Sequence, residues 1–172
     1  MDTAKRRQEI LHLLSKSGTP LSAGELAGRL GVSRQIIVGD VALLRAGGQD
    51  ILATPRGYLL AGTDARSALR KIIACRHTEE GMARELQICV DHGCTVLDVI
   101  VEHPVYGQLC GLLELSTRLD VELFLQRVAG SEARSLSELT NGIHLHTLQC
   151  PSEEAFGLVC ARLSEEGFLL TT

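Results

Sequence analysis

The chain has 172 residues, 45% of them hydrophobic, and a formal net charge of −4, which suits one ordinary core or two small ones and excludes a disordered chain. No run of about 18 apolar residues occurs, so no membrane-spanning helix is expected, and the first twenty residues are polar and basic, unlike a signal peptide. A cytoplasmic protein with no membrane partner is the expectation. The charge is uneven: residues 1–61 hold eight Lys and Arg against five Asp and Glu, residues 62–172 nine against sixteen, giving +3 and −7. A polyanionic partner is therefore expected to meet only the first third. Six cysteines occur without a CxxC pair. Cys75, Cys89, Cys110, Cys150 and Cys160 sit inside apolar patterns and read as reduced core thiols.

Taken in chain order, residues Thr3 to Lys16 carry Ile10, Leu13 and Leu14 at helical spacing and stop at Ser17-Gly18-Thr19-Pro20. Ser22 with Glu25 three residues on is a capping box, and Leu21 with Leu26 has the spacing of a hydrophobic staple, so a second helix is predicted to about Leu30. Gly31 allows a tight turn. Ser33 then caps a third helix, flanked by Val32 and Ile37, whose Ile37, Val41 and Leu44 form one stripe. Two short helices around a glycine turn make a helix-turn-helix. "ILATPRGYLL" follows as strand, turn and strand, with Pro55 and Gly57 at type I turn positions and Arg56 at the tip of a wing.

The stretch "LSAGELAGRLGVSRQIIVGDVALLRAGGQDILATPRGYLL" resembles the winged helix-turn-helix of bacterial repressors. The resemblance implies that the third helix enters the major groove of double-stranded operator DNA. There Arg34 and Gln35 would reach base edges, Val38 a thymine methyl, and Ser33 a phosphate. Arg45, Arg56 and the run Lys5 to Arg7 would hold phosphates and make the affinity depend on salt. Positions equivalent to Val38 and Gly39 are basic in many relatives and are not basic here, so specificity would rest on fewer residues.

After Gly62-Thr63-Asp64 strands and helices alternate. "ALRKIIACRH" is a strand, "TEEGMARELQICVDHG" a helix capped by Thr78, and "TVLDVIVEHP" and "QLCGLLELS" two strands around a turn at "PVYG". A helix from about Leu119 to Val128, the strand "IHLHTLQC" and a helix from Ser152 to Glu166 complete the pattern. The fold class expected is α/β (α+β), a winged helix-turn-helix domain over residues 1–61 and an α/β sandwich over 65–172 with helices on a mixed sheet.

In "NGIHLHTL" a strand's period of two sends Ile143, Leu145 and Thr147 to one face, which looks like core, and His144 and His146 to the other, where two imidazoles are able to share a metal ion. A solvated strand face is the plainer alternative. Glu85 falls among Met82, Leu86 and Cys89 in the apolar stripe of its helix, two turns in. There a carboxylate needs a cation or must reach the rim. Together with His77 at the strand-to-helix corner, these residues would make a site of three nitrogens and one oxygen, suited to a divalent transition metal: Zn²⁺, Ni²⁺ or Fe²⁺.

"HTEEGMARELQICVDHGCTVLDVIVEHPVYG" followed by "LSELTNGIHLHTL" resembles the 3H domain, and its fusion to a winged helix is similar to the niacin-responsive transcriptional repressor family. The resemblance implies a homodimer that represses genes of NAD biosynthesis and niacin uptake with nicotinic acid as co-repressor. It also implies a metal held by His77, Glu85, His144 and His146 near the ligand pocket. His103 and Tyr106 in "VEHPVYG" and Arg118 after "LELS" are candidate ligand contacts; Arg118 has the charge to pair a pyridine carboxylate, with a surface salt bridge as its plainer role. Two alternatives remain open at this level. One is a repressor for which the metal itself is the signal. The other is a metal-dependent hydrolase with Asp98, Glu102 or Glu138 as base.

Overall fold

The computed structural model describes residues 2–61 and 69–171; the boundary expected at Gly62-Thr63-Asp64 lies outside them. The chain divides into two compact units, 1–66 and 67–172.

In the first unit, helices α1 (Thr3–Lys16), α2 (Ala23–Leu30) and α3 (Arg34–Ala46) precede a hairpin of β1 (Ile51–Thr54) and β2 (Gly57–Leu60). Ser22 and Glu25 form the expected capping box, Gly31 is left-handed at φ 63°, and the Ser33 hydroxyl accepts the Ile36 N–H. Ile10, Leu14, Leu26, Ile37, Val41 and Ile51 form the core. Asp40 departs from the apolar pattern, buried on the core side of α3 at 3% exposure. The Arg6 Nε donates to its Oδ2 at 2.5 Å, and the Arg7 guanidinium lies 3.9 Å from Oδ1. Arg6 is thus turned inward as a latch between α1 and α3, which corrects the expectation that its guanidinium holds a phosphate, while Arg7 stays partly exposed. Arg56, at the wing turn, is half-buried.

The wing is held down by Leu21, which exchanges backbone hydrogen bonds with Tyr58 at 2.9 and 2.8 Å. The chains approach so closely that a Cβ on Gly57, at φ 139°, would stand 2.3 Å from the Leu21 carbonyl oxygen.

The second unit contains β3 (Leu69–Arg76), a 3₁₀ turn at Glu79–Gly81, α4 (Met82–Asp91), β4 (Thr95–His103), β5 (Gly107–Leu115) and α5 (Arg118–Ala129). A 3₁₀ segment (Leu136–Thr140), β6 (Ile143–Cys150) and α6 (Glu153–Glu165) follow. The sheet runs β3-β6-β4-β5, and every described pairing is antiparallel, so it is not the mixed sheet expected. The last strand inserts between the first two, antiparallel to both; no sequence period reports that order.

All three helices contribute to one core: Leu86, Ile88 and Cys89 from α4, Val121 from α5, Val159 and Leu163 from α6, against Ile73, Val96, Leu115 and Leu148 of the sheet. This reverses the reading of β6. His144 and His146 lie on the buried face with Leu148 and Cys150, each histidine at 3% exposure, while Ile143 on the other face is 45% exposed. The cause is register: His146 pairs with Ile73 and His144 with Cys75, both pointing at the helices. All six cysteines are free thiols; most are buried as expected, but Cys110 on β5 is exposed. The Cys94 and Cys150 sulfurs are 3.2 Å apart, and burial pushes the Cys94 thiol up to about 12.

Replacing Gly57 by alanine, at a positive φ against backbone, is expected to destabilise the first unit by more than about 1 kcal/mol. Chemical denaturation monitored in the winged unit measures this; an unchanged midpoint would contradict the close approach of wing and Leu21.

Candidate metal centre and nucleic-acid interface

Glu85 organises the second unit. Thr78 does not cap α4 with its side chain: a 3₁₀ turn intervenes, the helix begins at Met82, and Glu85 falls in its first turn, not two turns in. There the positive end of the helix favours a carboxylate. The side chain is nevertheless 1% exposed, and an uncompensated charge at that depth costs several kcal/mol. Three imidazoles answer it. His77 Nε2 is 2.5 Å from Glu85 Oε2, His144 Nε2 is 3.1 and 3.0 Å from Oε1 and Oε2, and His146 Nε2 is 3.5 Å from Oε2.

The opposite nitrogen of each ring is held by backbone. Nδ1–H of His77 donates to the Thr78 carbonyl at 2.6 Å, that of His144 to Gly142 at 2.8 Å and that of His146 to Asp98 at 2.5 Å. With Nδ1–H turned to a backbone carbonyl, each ring points Nε2 at Glu85, donating an Nε2 proton to the carboxylate when no ion is present and offering the Nε2 lone pair to an ion when one is. A backbone carbonyl behind a histidine is how proteins orient metal-binding imidazoles. Among the described residues, His77, Glu85 and His144 form the group whose ligand atoms all lie within 4.8 Å of one another.

Gly142 ties this corner together. It sits at φ 85°, and a Cβ there would lie 2.2 Å from the His77 carbonyl oxygen. Only glycine lets the turn before β6 close onto the β3–α4 corner while its own carbonyl holds His144.

Electrostatically the cluster is a carboxylate among protonatable rings. Burial alone would push the Glu85 carboxyl up, but the charge of His146 and the hydrogen bonds of all three histidines hold it well below the usual carboxylate range. Burial likewise opposes the charged forms of His77 and His146, and Glu85 outweighs it, raising both. Cys75, opposite His144, is pushed up by burial and then by Glu85, so it stays a thiol.

Arg118 donates through Nε and Nη2 to both oxygens of Asp91 at 2.6 and 2.5 Å, an exposed bidentate pair at the start of α5 that matches the plainer role of a surface salt bridge. His103 Nδ1 accepts the Val105 and Tyr106 N–H groups at the β4–β5 turn, and Tyr106 stacks on it while 75% exposed. Asp98 Oδ1 accepts the Thr147 N–H, and Glu102 and Glu138 are exposed. On α3, Arg34, Gln35, Val38 and Arg45 are exposed, as is the capping Ser33. Sequence reasoning missed the carbonyls of Asp98, Thr78 and Gly142, which carry no side-chain signal.

The 3H domain family matches residues 70–172, and an HTH domain matches residues 6–59. The chain is 43% identical to the transcription repressor NadR of Bacillus subtilis (strain 168), over 97% of this chain and 94% of that protein. It is 40% identical to the probable transcription repressor NiaR of Thermotoga maritima, over 96% and 94%. The chain belongs to the 3H-domain transcription repressor family. As in those relatives, an HTH domain precedes the 3H domain, and the protein is a DNA-binding regulator and not an enzyme. The hydrolase alternative is thereby set aside. The Glu85 cluster of this 3H repressor lies wholly within the part matched by the 3H family.

The pKa directions give a pH test on the ion-free protein. His77 and His146, raised, stabilise the fold fully below the ordinary imidazole range and lose that contribution as pH climbs through their raised values. Glu85, depressed, contributes above the ordinary carboxylate range and loses it as pH falls. Stability should therefore peak between the two ranges and decline on the alkaline side. Glu85→Gln should flatten that alkaline decline; denaturation midpoints of both proteins across pH measure it, and parallel profiles would show that Glu85 does not hold the imidazole protons.

Proposed function

We propose that this 3H repressor is a cytoplasmic homodimer that silences genes of NAD biosynthesis and niacin uptake, with nicotinic acid as co-repressor. In this reading residues 1–61 bind operator DNA and residues 65–172 sense the effector. The observation that carries it is the Glu85 cluster: three imidazole Nε2 atoms converge on a buried carboxylate in the part of the chain outside the HTH domain. The relatives named as repressors, NadR and NiaR, extend over both domains and support the same division of labour.

The donor set fits a divalent transition metal such as Zn²⁺, Ni²⁺ or Fe²⁺, since neutral imidazoles with one carboxylate suit borderline ions and the rings are already oriented by carbonyls. His77, Glu85, His144 and His146 would hold it. Held there, such an ion would supply positive charge in place of ring protons, with His77 on the β3–α4 corner and His144 and His146 on β6 as its ligands. The protein's own contribution is to keep the three rings on one tautomer, to exclude water from Glu85 and to fix the backbone around His77 and Gly142.

On the DNA side, Arg34 and Gln35 project from the first turn of α3 toward base edges, Val38 lies one turn on, and Ser33, Arg45 and Arg56 serve the phosphates. A dimer reads two half-sites at a separation fixed by the DNA repeat, so an effector that favours one spacing of the two HTH units changes operator affinity. The coupling is reciprocal.

Arg34→Ala is expected to weaken operator binding by about 1–3 kcal/mol with the fold intact; equal affinity in a gel shift would remove Arg34 from base readout. Nicotinic acid should tighten operator binding of the metal-loaded protein by about 1–3 kcal/mol, measured by fluorescence anisotropy, and His144→Ala should lose both the stoichiometric metal and that response. Operator binding that follows added metal but ignores nicotinic acid would make the ion itself the signal.

A further inference from the structure

Gly39 stands in the middle of α3 with no reason inside the protein to be a glycine. Its backbone is helical and not left-handed. A Cβ there would meet nothing within 4 Å beyond its own helix backbone and chain neighbours. Inside a helix glycine is less favourable than alanine, because it has more backbone freedom to lose. The remaining use of such a glycine is to let another molecule come close to the backbone. Openness alone does not assign that use, since Gly157 in the middle of α6 is equally open. The surroundings of Gly39 do. Ile37 and Val41 bury one side of α3, and Gly39 falls on the other, one turn after Gln35 and one turn before Leu43. Arg34 and Arg45 are exposed toward the two ends of the helix, residues 1–61 carry a charge of +3, and the HTH domain match spans the whole of α3. Between Gln35 and Arg45 the exposed residues of the helix are all without polar side chains: Ile36, Val38, Gly39, Ala42 and Leu43. Leu43 is 58% exposed, more than any other large apolar side chain described in the first unit.

We propose that Gly39 is a specificity-determining residue of this repressor. With no side chain there, α3 seats close against the base pairs, and Val38 and Leu43 on either side of the gap pack on thymine methyl groups. The proposal rests on the reading that α3 enters the major groove with Arg34 and Gln35 at its leading end. Beyond its first turn the outward face offers no hydrogen-bond donor or acceptor to a base edge before Arg45. What an apolar face recognises in the major groove is the 5-methyl group, which thymine presents there and cytosine, adenine and guanine do not. Methyl contact is short-ranged, so it depends on how closely the helix approaches. A methyl group at position 39 would hold the helix off the base pairs and lengthen the contacts of both neighbours. The phosphate contacts of arginine, which are long-ranged and indifferent to sequence, would change little.

The test uses the full-length protein with metal and nicotinic acid supplied, and the duplex that wild type selects from a random-sequence DNA library. Fluorescence anisotropy measures wild type, Gly39→Ala, Gly157→Ala and Arg34→Ala on that duplex and on an unrelated one, and wild type on the selected duplex with each thymine in turn replaced by deoxyuridine, which removes only the methyl. Unfolding midpoints are measured on every variant. Both glycine variants should unfold at or above the wild-type midpoint. Gly39→Ala should nevertheless lose about tenfold on the selected duplex and change little on the unrelated one, while Gly157→Ala should bind both like wild type. Deoxyuridine at a contacted position should weaken wild type about fourfold, the worth of one buried methyl. Gly39→Ala that binds the selected duplex like wild type, while Arg34→Ala is weakened, would overturn the role of Gly39 and leave α3 in the groove. Full affinity in both variants would overturn both readings. An equal loss by Gly39→Ala on the two duplexes would set Gly39 against phosphates and overturn its part in specificity, and indifference to every deoxyuridine would overturn the methyl contacts.

Discussion

A carboxylate at 1% exposure in the first turn of α4 demands compensation, and the second unit is arranged to provide it. Three strands and two loops converge on Glu85: His77 comes from the end of β3, His144 and His146 from β6, and the carbonyls that orient them from the β3–α4 corner, the Asn141-Gly142 turn and β4. Removing any one partner leaves polar atoms stranded in a core otherwise built of Leu, Ile, Val and Cys. Replacing such a cluster by well-packed hydrophobes often preserves stability, so its presence points to a task beyond holding the fold.

The topology follows from the same requirement. With β6 inserted between β3 and β4, its two histidines stand beside Cys75 and Ile73 on one side, and the Asp98 carbonyl is near enough to receive His146 on the other. The register between β4 and β6 is irregular between Val96 and Ile100, and Asp98 lies within that interval, giving its carbonyl to His146 and its side chain to the Thr147 N–H. An irregularity that takes a backbone carbonyl out of the ladder to serve a side chain is a common way for a strand to support a site. A regular pairing would have spent that carbonyl on the sheet.

In the first unit a second buried carboxylate, Asp40, plays a purely internal part. It draws Arg6 onto the inner face of α3 and brings Arg7 near, leaving the outer face of the same helix with Arg34, Gln35, Val38 and Arg45 exposed. The helix thus separates its charges by function: the pair facing inward fixes the angle between α1 and α3, and the residues facing outward remain available for a polyanion.

The elements themselves were legible in the residues. Ser22 with Glu25, Ser33 with Ile37, and the glycine at 31 set the HTH helices within a residue or two, because caps and turns are local and their signals sit beside the bonds they make. The spacing of His144 and His146, and Glu85 inside an apolar stripe, marked the cluster before any contact was known. What the sequence left open were matters of pairing. A period of two tells which residues of β6 share a face but not which face meets the helices, and here the apolar-looking side is the half-exposed one. The place of β6 between β3 and β4, the turning inward of Arg6 and the capture of Arg118 by Asp91 all depend on residues 27 or more apart in the chain. Such contacts are chosen by the packing of the whole and leave no local mark.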